Sequence, residues 1–342
     1  MRNSERVLLS FLCFMLVVAL LSGACLGLYY GSETLNIMDS GLRRELAGSL
    51  DRLMIGSSHA WYGFMPTVFD AKMHSSSYNL SGGVFPMYAK VLFLEKELAR
   101  NPLKTVYVEI SDDTLTRSNE SDYGEGDEIA IARLDSWSER LSYMKNFLTL
   151  DDCVNVYSRA LLRGAQAWAA VLRGKTALDH SARGYCAKDG SDVSLTREEA
   201  AVRYQTGAVD IGAYRPENIE QLGTLLQTCR DAGAEPVIVV FPVSDAYLWE
   251  HAGEDDFRIW LRDFCDERGC ACYDFNLLRD RYTLLSDAES FMDSTHLSRK
   301  GAEAFMETFA DLMEKTEKGE DIRPYFYDSY EQMLTDSPYC KE

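Results

Sequence analysis

The sequence predicts an α/β fold: a three-layer sandwich with a central parallel sheet, carried behind one membrane-spanning helix. Two observations predict the sandwich. A helical stretch is followed by a short apolar strand at residues 87–100 and 105–110, again at 219–232 and 236–241, and again at 257–268 and 270–275. Repetition of that unit points to a parallel sheet, because each return to the same sheet edge needs a crossover, usually a helix. The run Pro236-Val237-Ile238-Val239-Val240-Phe241 is also apolar throughout rather than alternating, as a strand covered on both faces must be. A third observation predicts the membrane helix. Residues 7–30 carry no charge, and a bilayer span needs roughly 20 such residues.

Taken in order, the chain opens with Arg2 and Arg6 before the apolar run, and Glu33 is the first charge after it. Positive residues stay inside, so residues 1–6 are expected in the cytoplasm and everything after residue 30 outside. The length of the apolar core favours an uncleaved signal anchor over a cleaved signal peptide. Cys25 has no Leu three residues before it, which argues against a lipoprotein site. Residues 31–51 read as a linker entering a helix at 42–50. The sandwich is expected over 52–316, with an insertion at about 116–215 that is too long for a simple connection. The insertion reads as helical from 129 to 172 and irregular from 191 to 214. Its Trp137, Trp168 and apolar face suit packing on the sheet, a cap over a site, or contact with a membrane surface. Residues 317–342 are polar and Tyr-rich and read as a surface tail.

The formal charge of −19 discourages nucleic acid and anionic lipid as partners. Seven cysteines follow the apolar run, so any set of disulfides outside the cell leaves one thiol over. Cys265, Cys270 and Cys272 lack the paired spacing of a zinc site, and Cys270 and Cys272 are expected to flank their strand, one facing each side. Neither a metal nor a cofactor is expected.

Two stretches carry chemistry. Leu53-Met54-Ile55 runs straight into Gly56-Ser57-Ser58-His59. A sharp turn after a strand lifts a hydroxyl to the carboxyl edge of a parallel sheet, and glycine permits the bend. Far down the chain, Asp293-Ser294-Thr295-His296 precedes a helical pattern of Ala302, Phe305, Met306, Phe309, Leu312 and Met313, with Ser298 as N-cap. An imidazole so placed can reach a serine on a neighbouring loop while the carboxylate fixes its tautomer. His59 beside the serine reads as a pocket or structural residue, and Trp61, Tyr62, Phe64 and Met65 as core packing.

Together these stretches resemble the SGNH (GDSL-type) hydrolase superfamily. Gly56-Ser57-Ser58 matches its first block, with Ser57 where many members have Asp, and Asp293-Ser294-Thr295-His296 matches its last. Tyr78-Asn79-Leu80-Ser81-Gly82-Gly83 looks like the second block, in which a glycine N–H serves the oxyanion hole; Gly82 and Gly83 are both candidates. Residues 106–113 stand where the third block belongs, but its usual Asn is absent and Asp112 and Asp113 lie there instead. That departure points towards membrane-anchored relatives such as the teichoic-acid D-alanyl transfer protein and the alginate O-acetyltransferases. The resemblance implies a flavodoxin-like sheet, Ser58 as nucleophile, His296 as general base, Asp293 orienting it, and an oxyanion hole of the Ser58 N–H with Gly82 or Gly83. It implies acyl transfer to or from a hydroxyl, with an acyl donor and an envelope glycan acceptor as substrates. A separate membrane-bound O-acyltransferase is the implied source of the acyl group. An envelope esterase with the same triad and a non-catalytic glycan-binding scaffold are the alternatives.

Overall fold

The computed structural model of the chain describes residues 3–31, 40–117, 124–173, 182–190, 193, 209–251, 253–285 and 287–338. Most of the irregular stretch expected at 191–214 lies outside them. The chain divides into two units, one of residues 46–123 and 181–342, the other of residues 1–45 and 124–180.

The larger unit is an α/β sandwich. Its strands are β1 (Arg52–Ile55), β2 (Ser77–Asn79), β3 (Thr105–Glu109), β4 (Glu235–Val240) and β5 (Ala271–Asp274). All neighbours pair in parallel, in the order β2-β1-β3-β4-β5. The inner strands are short and apolar because both of their faces are covered: Leu53, Met54, Ile55, Val106, Tyr107 and Val108 are all buried. Helix Met87–Arg100 packs beside helix Pro216–Asp231, while helix Arg299–Glu317 packs on Pro66–Met73 and Ser58–Gly63. Phe305 and Phe309 of that last long helix meet Phe64, Phe69, Tyr107, Phe241 and Phe275, forming an aromatic seam along the sheet. Strand order reverses between β1 and β3, and the crevice at the carboxyl ends of those two strands is where open sheets place their ligands.

Three expectations are corrected here. The C-terminal stretch is not a surface tail: helix Tyr330–Thr335 buries Tyr330, Met333 and Leu334 against Val243, Leu248, Trp249 and Leu277. Its apolar residues stand at i, i+3 and i+4, a helical stripe diluted by polar neighbours. Cys270 and Cys272 do not face opposite ways, since both side chains reach Cys265. Residues two apart on a strand share a face, and that face lies under helix Glu254–Glu267. The helix expected at 42–50 is instead Ser40–Glu45 and belongs to the smaller unit.

In the smaller unit, helix Asn3–Gly31 contains one apolar stretch, residues 5–27 with mean hydropathy 2.6, long enough to cross a bilayer. Helices Gly124–Arg133, Trp137–Phe147 and Leu150–Leu172 complete it. Helix Leu150–Leu172 packs along the N-terminal helix, so close at Gly164 that a Cβ there would sit 2.2 Å from the Cys25 carbonyl oxygen. Arg43 is fully buried and donates to the Arg133 carbonyl, and the Tyr29 hydroxyl donates to Glu128 at 2.7 Å.

Candidate active site

Strand β1 ends at Ile55, and Gly56 and Ser57 turn into helix Ser58–Gly63. Ser57 caps that helix, its Oγ accepting the His59 N–H at 3.2 Å. Ser58 is the first helical residue, so its own N–H has no intrahelical acceptor. Glycine is required at position 56 by close approach. A Cβ there would lie 2.5 Å from Glu109 Oε2 and 2.6 Å from Glu109 Cβ. Asn79 ties the turn to the second block, donating to the carbonyls of Ala60 at 2.8 Å and Phe64 at 2.9 Å, while its Oδ1 accepts the Ser81 N–H.

Asp293 and His296 occupy the loop before helix Arg299–Glu317. Asp293 Oδ1 accepts the backbone N–H of Thr295 at 3.0 Å and of His296 at 2.9 Å, which curls the loop upon its own carboxylate. Both Asp293 oxygens lie 2.9 Å from His296 Nδ1, and His296 Nε2 lies 2.7 Å from Ser58 Oγ. The loop hangs from the segment after β4. The Ser294 carbonyl accepts the Ser244 N–H at 3.0 Å and the Ser244 hydroxyl at 2.8 Å. The structure therefore brings Ser58, His296 and Asp293 into one hydrogen-bonded chain, with Ser58 half-buried at the carboxyl edge of the sheet.

Electrostatics suit the order of that chain. Burial works against the Asp293 charge, but the bonds from His296 and the two N–H groups outweigh it and hold the carboxyl below its usual range. Burial, and then the neighbouring charge of His59, push His296 below its ordinary value against the pull of Asp293. A neutral imidazole with Nδ1 committed to a carboxylate leaves Nε2 to accept a proton.

Behind the turn lies a cluster that the sequence does not announce. Glu109, the last residue of β3, is fully buried; one oxygen accepts the Ser57 N–H at 2.5 Å and the other faces His59 Nδ1 at 3.6 Å. Lys90 is also fully buried, on the first turn of helix Met87–Arg100, and burial pushes its ammonium down to about 8 against the pull of Glu109 and Asp113. Glu109 stays below the usual carboxylate range: burial opposes its charge, and His59, Lys90 and the Ser57 N–H outweigh burial. A charged residue at the end of an apolar strand, opposite a glycine, is the signal that could have revealed the pair.

The remaining expected residues fall as follows. The Gly82 N–H points at the Gly56 carbonyl at 3.5 Å, which sets residues 78–83 directly against the Gly56-Ser57-Ser58 turn. The chain after β3 passes into the turn Ser111-Asp112-Asp113. Asp113 pairs with Arg117 and accepts the Ser111 hydroxyl, and although burial opposes its charge it is held down to about 2. Asp112 accepts the Tyr214 hydroxyl at 2.6 Å, yet burial lifts its carboxyl above the usual range. Trp61, Tyr62, Phe64 and Met65 are buried, as expected of core, though Tyr62 also sets its ring edge-on to His296 at 5.2 Å.

No family model matches the chain, and no curated protein matches it. Solved structures do. A Bacteroides fragilis protein provisionally named an acylhydrolase is 7% identical, with a TM-score of 0.39 over 81% of this chain and 95% of its own. A Desulfitobacterium hafniense protein provisionally named a lipolytic protein of the G-D-S-L family is 9% identical, with a TM-score of 0.35 over 77% of this chain and 98% of its own. At these values the functional reading rests on the chain's own geometry.

Proposed function

We propose that the protein is an extracytoplasmic, membrane-anchored serine acyltransferase that O-acylates, and most simply O-acetylates, a cell-envelope polysaccharide. The observation that carries this reading is the 2.7 Å contact of Ser58 Oγ with His296 Nε2, on an imidazole whose Nδ1 is held by Asp293. In the proposed cycle Ser58 attacks the acyl carbonyl of a donor as His296 takes its proton, forming a tetrahedral oxyanion. The Ser58 N–H, free of helical bonding, and the N–H of Gly83 stabilise that oxyanion, since the Gly82 N–H is turned to the Gly56 carbonyl. His296 then returns the proton to the leaving group. A glycan hydroxyl, deprotonated by the same imidazole, then attacks the acyl carbon; the bond to Ser58 Oγ breaks, and His296 returns the proton to Ser58. No metal or cofactor enters the scheme. The apolar helix supports a membrane tether, and the positive residues before it support the outward placement of the rest of the chain.

A second reading, an envelope esterase with the same three residues, is favoured by one observation: the Asp293 side chain is half exposed, so water reaches the rim of the site. Treatment of the detergent-solubilised full chain with a fluorophosphonate, followed by mass spectrometry, tests both readings. A single adduct on Ser58, lost in Ser58→Ala and in His296→Ala, is expected. A folded protein that gives no adduct overturns both readings and leaves the non-catalytic scaffold. Competition between water and an oligosaccharide for an activated acetyl ester then separates transferase from esterase.

A further inference from the structure

We propose that His59 is a positioning residue of this site: paired with buried Glu109 as a cation, it disfavours a second positive charge on His296 and so extends activity to lower pH. The inference rests on the serine-acyltransferase or esterase reading. Its basis is geometric. The Glu109 carboxylate has no solvent contact, and a buried carboxylate needs a cation close by. His59 Nδ1 stands 3.6 Å from Glu109 Oε1, while Glu109 Oε2 takes the Ser57 N–H. The His59 ring meets the His296 ring edge-on, with centroids 5.3 Å apart. One carboxylate thus ties the nucleophile turn to a histidine that touches the base.

The other charged groups around the two rings leave this coupling in place. Facing His59 are Glu109 from β3, Asp113 from the segment after it, and Asp293 and His296 from the last loop. Lys90 and Arg117 share the negative charge of Glu109 and Asp113. The hollow beside His59 is lined by Asp112, which burial lifts, by Tyr247, and by Glu254, which burial pushes up to about 8. Facing His296 are Asp293, His59 and Lys188, whose ammonium lies 4.6 Å above the Tyr62 ring. Burial would discharge His59, but the close negative charge of Glu109 outweighs it and raises the imidazole. Two neighbouring imidazoles are thereby shifted in opposite directions, the arrangement that separates a charge carrier from a base.

The experiment follows the rate of fluorophosphonate labelling against pH for the full chain in detergent, with wild type, His59→Gln and Glu109→Gln. The acidic limb of this profile reports the His296 proton. Loss of the His59 charge is expected to move that limb to higher pH by about one unit, so that labelling falls about tenfold on the acid side and little above neutrality. Glu109→Gln, which removes the counter-ion of His59, is expected to move it the same way. A uniform loss at every pH, with the limb unmoved, overturns the proposal and leaves His59 a structural residue. Carbon-13 imidazole titration of His296 in the same variants reads the coupling directly, whether or not Ser58 reacts, so failure of the acyl-transfer reading is distinguishable from failure of this one. Should the variants not fold, the wild-type spectrum decides: His59 must hold its proton to higher pH than His296, and the reverse order overturns the proposal.

Discussion

Glu109 joins two functions in one side chain, and the consequences are testable residue by residue. Its removal leaves His59 and Lys90 buried without their shared counter-ion. Glu109→Ala is therefore expected to lower stability by about 3–5 kcal/mol in urea denaturation. Gly56→Ala drives a methyl into the same carboxylate, which has no space to retreat. It is expected to cost about 1–3 kcal/mol and to suppress Ser58 labelling, because the turn itself must move. The pair also gives stability a pH dependence of known sign. The depressed Glu109 carboxyl contributes stability that is present above its unfolded value and is lost as pH falls through its lower folded value. The raised His59 contributes stability that is complete below its unfolded value of about 6.5 and is lost as pH rises through its higher folded value. Thermal denaturation compared at about pH 6 and about pH 9 should show an alkaline decline that is shallower in His59→Gln.

At the scale of elements, His296 is held on the loop just before helix Arg299–Glu317. Ser298 caps it, its Oγ accepting the Gly301 N–H at 3.2 Å, and Ser298→Ala is expected to cost about 1 kcal/mol. Gly301 lies so close to the preceding segment that a Cβ would sit 2.0 Å from the Ser290 carbonyl oxygen. Gly301→Ala is expected to displace that segment and slow Ser58 labelling more than Ser298→Ala does, which a side-by-side rate measurement checks. This helix was legible in the sequence, since its apolar spacing and its cap are local signals. So were β3 and β4, each an apolar run introduced by a helix, and helix Met87–Arg100, stopped by Asn101-Pro102. The bond from Ser244 to Ser294 was not legible, because it joins residues 50 apart whose side chains carry no mutual pattern. The burial of Glu109 escaped for the same reason: only the fold sets His59 and Lys90 around it. The apolar stripe of helix Tyr330–Thr335 was hidden by the polar residues between.

For the whole molecule, the charge of −19 and the long apolar helix Asn3–Gly31 make opposite demands on solubility. On the anchored reading, the full chain is expected to remain with membranes through a high-salt or alkaline wash and to leave them only in detergent. Release by salt would instead mark a peripheral attachment. The long apolar helix and the excess of acidic residues were visible in the sequence at this scale. The division into units was visible only in part. The insertion was expected at about 116–215, whereas the chain departs for the smaller unit at residue 124 and returns at 181. Helical periodicity marks where helices are and says little about which unit they join.

The contact between His296 and Ser58 spans 238 residues, nearly the full length of the sandwich. Pairings of such separation form late in folding. A chain made from its N-terminus presents Ser58 long before His296 has been synthesised. Under the proposed reading, a nascent copy or one clipped before Asp293 carries an ordinary, unreactive hydroxyl, and the power to acylate its surroundings needs the segment that bears His296.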